Sequence, residues 1–286
     1  MANLESHNGY YLWQYIPSIP AAILFSILFG IITVLHLWRM FRSRTWYCIA
    51  FATGGIFEFI GYVGRIFAHD RTGAIMPYVI QSVFILLAPA LFAASMYMVL
   101  GRIIRCVRGE KYSIIRVSWL AKIFVGGDVF SFLIQAGGAG ILVKGDSDAK
   151  TGENIIVGGL IVQVIMFGLF ALSAIVFEVR MHRHAMASLY NSKVPWKETL
   201  HMLYYASLAI MVRSIVRVIQ YIMGQGGYLL KKEWPLYVFD GLLMFITMVI
   251  FYRTYPSEVN PKKVIMPENQ DATIGMESRQ RSYPQC

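Results

Sequence analysis

The stretch FEFIGYVGRI, residues 57 to 66, sets Glu58, Tyr62 and Arg65 at i, i+4 and i+7 inside an otherwise apolar run. On a helix that spacing puts all three on one stripe. Two other runs repeat the interval, Asp128 with Gln135 and Arg213 with Arg217 and Gln220. Asp240 stands in the last apolar run, while Gln81, Tyr97 and Gln163 add polar groups to two more. Carboxylates and guanidinium groups placed this way can pair with each other, meet a charged headgroup, or serve an ion path. Each charge at mid-bilayer costs about 2.5–3.5 kcal/mol, and such residues mark substrate or ion pathways by default. Packing specificity is the competing reading, since hydrogen bonds between membrane helices average well under ~2 kcal/mol.

The elements that must position these groups are long apolar runs. Seven of them approach the ~20 residues a spanning helix needs: Ile19–Trp38, Trp46–Phe67, Met76–Leu100, Ala121–Leu142, Ile155–Phe177, Leu203–Met223 and Leu236–Tyr252. The chain is 57% hydrophobic and 15% charged, with a mean hydropathy of +0.54, which excludes an ordinary soluble domain. The fold class expected is all-α, a seven-transmembrane helical bundle. The net charge of +10 falls in short clusters between spans, so anionic lipid accounts for it and nucleic acid does not. Of the 26 Lys and Arg, 18 follow the odd-numbered runs, which predicts the N-terminus outside and the C-terminus in the cytosol. The division expected is residues 1–18 as an extracellular segment, 19–252 as the membrane domain, and 253–286 as a flexible cytosolic tail. Residues 1 to 18 hold no Lys or Arg, so no secretory signal is expected.

Within the spans three acids, Glu58, Asp128 and Asp240, balance three bases, Arg65, Arg213 and Arg217. Depth predicts Glu58 with Arg213, and Asp240 with Arg217 or Arg65. Glu58 and Arg65 are ~10 Å apart along their own helix, too far for a direct bond. Gly54, Gly55, Gly61, Gly64, Gly137, Gly138 and Gly140 are expected to allow close helix approach. Pro89 is expected to kink its helix and free a carbonyl.

Familiar chemistries are missing from the sequence. There is no phosphate-cradling Gly-rich loop ending in Lys-Ser/Thr. The six histidines do not suggest a metal centre, and the last run has no lysine for a retinal Schiff base. Enzyme activity, a catalytic residue, a cofactor and a metal are therefore not expected. A G-protein-coupled receptor would share the layout, but MYMVLGRIIR and VIFYRTYPSE lack its helix-end signatures. Three cysteines are too few for a disulfide framework, and Cys106 reads as a thiol in a basic loop beginning at residue 101.

The segments EFIGYVGR (58–65), QSVFILLAPALFAASMY (81–97), FVGGDVFSFLIQAGGAG (124–140), GGLIVQVIMFGLF (158–170), RSIVRVIQYIMGQGGYL (213–229) and EWPLYVFDGLLM (233–244) resemble the fungal lipid-translocating exporter family, also called RTA-like. The resemblance covers roughly residues 10 to 255. It implies a multi-pass plasma-membrane protein that moves amphiphiles such as sphingoid long-chain bases or aminosterol-like toxins, contributing to lipid asymmetry and drug resistance. It also implies two alternatives, a porphyrin or haem carrier and a receptor-like lipid sensor without transport. The family's polar positions map onto Glu58, Tyr62, Arg65, Gln81, Pro89, Tyr97, Asp128, Gln135, Gln163, Arg213, Arg217 and Asp240. Gln220 departs from the pattern, because relatives often carry an acid there. The partners expected are an amphiphilic lipid or sterol-like ligand, membrane lipids and a homo-oligomer, with no nucleic acid.

Overall fold

Residues 15, 17–69, 75–142, 149–184, 196–224 and 227–256 are described by a computed structural model of the chain. Helix α1, Ile19–Ser43, has Pro20 in its first turn, where a missing N–H costs nothing. Its buried Ala22, Ser26, Phe29, Thr33, His36 and Met40 recur every three or four residues, so one face is committed to the interior. It stops at Arg44, whose left-handed backbone (φ 53°) turns its N–H back onto the Met40 and Phe41 carbonyls. A 3₁₀ turn, Trp46–Cys48, leads into α2, Ile49–Ala68. The bundle continues with α3, Ile75–Cys106, α4, Val117–Leu142, α5, Ala149–His184, and α6, Trp196–Ile222. After one helical turn at Tyr228–Lys231 comes α7, Leu236–Arg253, which opens as π-helix over Leu236–Leu242 and continues as α-helix over Leu243–Arg253.

These are seven helices long and apolar enough to cross a membrane, and the described residues contain no strand. The protein is an integral, multi-pass membrane protein. Helix α2 packs along both α1 and α3, α4 pairs with α5, and α6 links α5 to α7. Glycines explain how closely α2 approaches α3. A side-chain carbon added at Gly54 would lie 2.7 Å from the Phe92 ring, and one at Gly61 would lie 2.6 Å from Ile85. Of the three glycines expected on α4, only Gly138 plays that part, with the Gly152 carbonyl 2.8 Å from such a carbon, and Gly127 joins it, 2.4 Å from Met166. Gly137 and Gly140, expected to do the same, face open space with nothing within 4 Å, because they lie on the opposite side of the helix.

The helices overrun the apolar runs, α3 at one end of the bundle and α5 at both. The 32 residues of α3 and 36 of α5 make rods of ~48 and ~54 Å against a hydrocarbon core of ~30 Å. Arg102 and Arg105 therefore extend α3 rather than start a loop, and Cys106 is that helix's buried last residue. At this basic end His36 Nε2 lies 3.0 Å from the Met248 carbonyl, Arg39 donates to the Tyr252 carbonyl, and the Thr45 and Tyr255 hydroxyls meet at 2.9 Å. The Arg102 guanidinium sits 3.8 Å from the Tyr47 ring centroid. These contacts tie α1, α2, α3 and the end of α7 together. The expected tail from residue 257 onward lies outside the described residues, as does the N-terminal segment apart from Tyr15, Pro17 and Ser18.

Candidate functional site: a buried charge core

Pro89 sets the centre of the site. It has no N–H, so the carbonyl four residues earlier, Ile85, receives no helical hydrogen bond. Arg213 of α6 donates Nη2 to that oxygen at 2.8 Å, and its Nε lies 2.9 Å from Oδ1 of Asp240. The second contact is an ion pair without an aligned hydrogen bond, since no acceptor lines up with the Arg213 Nε–H. Arg217, one turn along α6, holds Asp240 more fully. Its Nε donates to Oδ1 at 3.0 Å and its Nη2 lies 2.5 Å from Oδ2. Asp240 is 1% exposed and Arg213 2%, so that pair is desolvated, while Arg217 keeps 18% of its side chain exposed. Asp240 and Gly241 lie in the π-helical part of α7, a geometry frequent at functional sites. Gly241 is needed for close approach: a carbon added there would sit 2.7 Å from the Tyr62 hydroxyl.

The expected pairing of Asp240 with Arg217 is present, but the expected pairing of Glu58 with Arg213 is not. Arg213 is drawn away by the freed Ile85 carbonyl and by Asp240, two acceptors supplied from neighbouring helices. Glu58 is fully buried, and neither of its oxygens has a hydrogen-bond partner among the described residues. The same holds for the buried hydroxyls of Tyr62 on α2 and of Ser26 and Thr33 on α1. Tyr62 is flanked by Phe25 and Phe29, each with its ring centroid 5.4 Å away.

At the far end of α2, Arg65 is also fully buried and forms a separate hub. It donates to Glu233 at 2.7 Å, to the Tyr237 hydroxyl at 3.0 Å, to the Tyr15 hydroxyl at 3.0 Å and to Gln81 at 3.3 Å. The backbone N–H of Ser18 also donates to Glu233, at 2.8 Å. Burial works to raise the Glu233 carboxyl, but the hydrogen bonds from Arg65 and Ser18 outweigh it and hold it below its ordinary value of 4.5. Asp240, the other partner expected for Arg65, is occupied by Arg213 and Arg217. Glu233, Tyr237 and Tyr15 were not singled out by sequence reasoning, although Glu233, Tyr237 and Asp240 repeat the i, i+4, i+7 spacing of Glu58, Tyr62 and Arg65.

A third group joins α3, α4 and α5. The Tyr97 hydroxyl donates to Asp128 Oδ2 at 2.8 Å, and Gln135 donates to Ser131 at 2.8 Å and to Gln163 at 3.1 Å. The Ser131 hydroxyl closes the group on the Gly159 carbonyl at 2.6 Å. The polar stripes thus face inward and gather into three clusters. Gln220 is buried near the end of α6, apart from the three clusters. On the lipid side of α1 and α2 lies a groove of about 460 Å³, apolar except at the buried Ser26, with Gly30 and Phe59 in its wall. Among the described residues no group of three or more His, Cys, Asp and Glu could hold a metal ion.

Fold and site together define a multi-pass helical membrane protein built around buried charge. The chain belongs to the RTA1-like protein family, whose profile matches residues 51–263. It is 34% identical over 284 residues to protoporphyrin uptake protein 1 of Saccharomyces cerevisiae, covering 85% of this chain and 91% of the relative. It is 33% identical over 276 residues to protein RTA1 of the same yeast, covering 87% and 86%. The yeast sphingoid long-chain base transporter RSB1 is 24% identical over 275 residues, covering 83% and 72%. No solved structure matches.

Proposed function

We propose that this protein moves amphiphilic molecules across a fungal plasma membrane, with its basic end in the cytosol. What carries this reading is the fully buried Glu58, whose two oxygens lack donors beside an arginine-rich triad. A bundle selected only for stability gains nothing from an unsatisfied acid at that depth. A cationic headgroup, such as the amine of a sphingoid long-chain base, would satisfy Glu58. Its chain would lie in the apolar groove between α1 and α2. The RSB1 relative is named for such a substrate. The chain has no phosphate-cradling loop, so downhill or ion-coupled movement is favoured over nucleotide-driven movement. The protein acts without enzyme chemistry, and aminosterol-like toxins belong to the same cargo class.

A second reading, movement of a porphyrin, is favoured by the higher identity with the protoporphyrin uptake relative. The carboxylates of a porphyrin would then meet Arg213 and Arg217 instead of Glu58. The test is protein reconstituted alone in vesicles, with leaflet exchange of a fluorescent long-chain base and of protoporphyrin measured separately. Exchange of the base that falls several-fold in Glu58→Gln supports the first reading. Porphyrin flux that depends on Arg213 supports the second. Binding without flux of either would support a receptor-like sensor and overturn both.

A further inference from the structure

The charge core has one more acid than this arrangement can serve. Asp240 engages both Arg213 and Arg217, while Glu58 engages neither. Two packing contacts bring Arg213 close to the Glu58 turn. Ile85 presses on Gly61, and Gly241 presses on the Tyr62 hydroxyl, so residues 61 and 62 of α2 lie between the two elements that Arg213 bridges. The groups facing this turn are few. They are Arg213 and Arg217 from α6, Asp240 and, stacked on the Tyr62 ring, Tyr237 from α7, and Tyr62 on α2 itself. Among the described residues, α1 adds the Ser26 and Thr33 hydroxyls and α3 the Ile85 carbonyl. The titratable groups of α1, His36, Arg39 and Arg42, lie at the basic end, the first two held by Met248 and Tyr252 and Arg42 over the Trp38 ring.

We propose that Glu58 is a proton-binding residue, and that Arg213 exchanges between Asp240 and Glu58 as the proton leaves and returns. In the arrangement described, Glu58 carries the proton, since an ionised carboxylate with no donor and no exposure would be left uncompensated. When the proton departs to water, the new carboxylate needs a donor. Arg213 is the one able to turn, because its Nε contact to Asp240 is unaligned, whereas Arg217 grips both Asp240 oxygens. After the exchange each carboxylate holds one arginine. No other bond forms or breaks, and one proton is bound or released per cycle. Ser26, Thr33 and Tyr62, each with an unpartnered hydroxyl, lie on the same α1–α2 faces and can pass the proton or solvate the acid.

This inference deepens the transport reading and rests on it for purpose, but its test does not require transport. Infrared difference spectra of the full chain in lipid would be recorded at pH 7 for wild type, Glu58→Gln and Asp240→Asn. A protonated-carboxyl stretching band present in wild type and lost in Glu58→Gln is expected, and it should weaken in Asp240→Asn, where Arg213 is freed to pair with an ionised Glu58. Melting temperature gives a second readout: Glu58→Gln should melt within a few degrees of wild type, because an amide resembles the neutral acid, while Asp240→Asn should melt far lower. No change in the band on removing Glu58, or a Glu58→Gln protein that fails to fold, would overturn the proposal. A confirmed band with no flux of any cargo would sink the transport reading and leave the proton site standing.

Discussion

Arg65 and Asp240 are the two residues on which most buried charge converges, and each is held by more than one partner. Removing one member of a desolvated pair leaves the other uncompensated, which costs about 3–5 kcal/mol. Asp240→Asn strands two arginines, so it should lower stability by at least that order, while Arg217→Lys should lose the two-point grip and cost less; thermal melts in lipid would check both. Glu233 gives a pH dependence with a definite sign. Its carboxyl is held below the ordinary 4.5, so its contribution is complete above that pH and fades as pH falls through its lowered value. Aqueous quenching of the neighbouring Trp234 should therefore rise on acidification below about pH 4.5, and a Glu233→Gln protein should be quenched equally at every pH. Much of this scale was legible in sequence, since the i, i+4, i+7 spacing placed Glu58, Tyr62 and Arg65 together and all three are buried. The partners were not. Glu233 precedes the last apolar run, and charges outside a run read as solvated. Arg213 looked free for Glu58 because a carbonyl exposed by a proline elsewhere is invisible to charge counting.

Elements show what periodicity can and cannot convey. All seven spans were found from apolar length alone, with ends off by several residues where helices continue past the hydrocarbon. The π-helical opening of α7 has no apolar signature, and it sets the facing of Asp240 and Gly241. Among the glycines, composition could not separate contact from exposure. Gly54→Val should destabilise by about 1–3 kcal/mol, because the added carbon meets the Phe92 ring at 2.7 Å and the Ala88 carbonyl at 3.0 Å. Gly140→Ala meets nothing within 4 Å and should be neutral or slightly stabilising. Parallel melting curves would separate the two. Pro89→Ala restores an N–H able to reach the Ile85 carbonyl, in competition with Arg213. It should therefore strengthen α3 while slowing transport, a split that melting and flux measured on one preparation would reveal.

For the whole molecule, the polar groups divide along the bundle into a far-end hub at Arg65, a central core at Asp240, and a side group at Asp128. The hub ties Ser18 to the start of α7 and to α2. The groove between α1 and α2 opens to lipid, with the buried Ser26 in its lining and Thr33 facing α2 at Gly55. Together these features support movement of an amphiphile past a charged centre, with entry from the side. The most direct measurement is leaflet exchange of a fluorescent long-chain base and of protoporphyrin in vesicles holding only this protein. Wild type, Glu58→Gln and Asp240→Asn would be compared at equal incorporation. Exchange of one cargo well above protein-free vesicles, cut several-fold by a core substitution that leaves the protein folded, is the expected result. Exchange no faster than in empty vesicles, or equal in wild type and both variants, would contradict it.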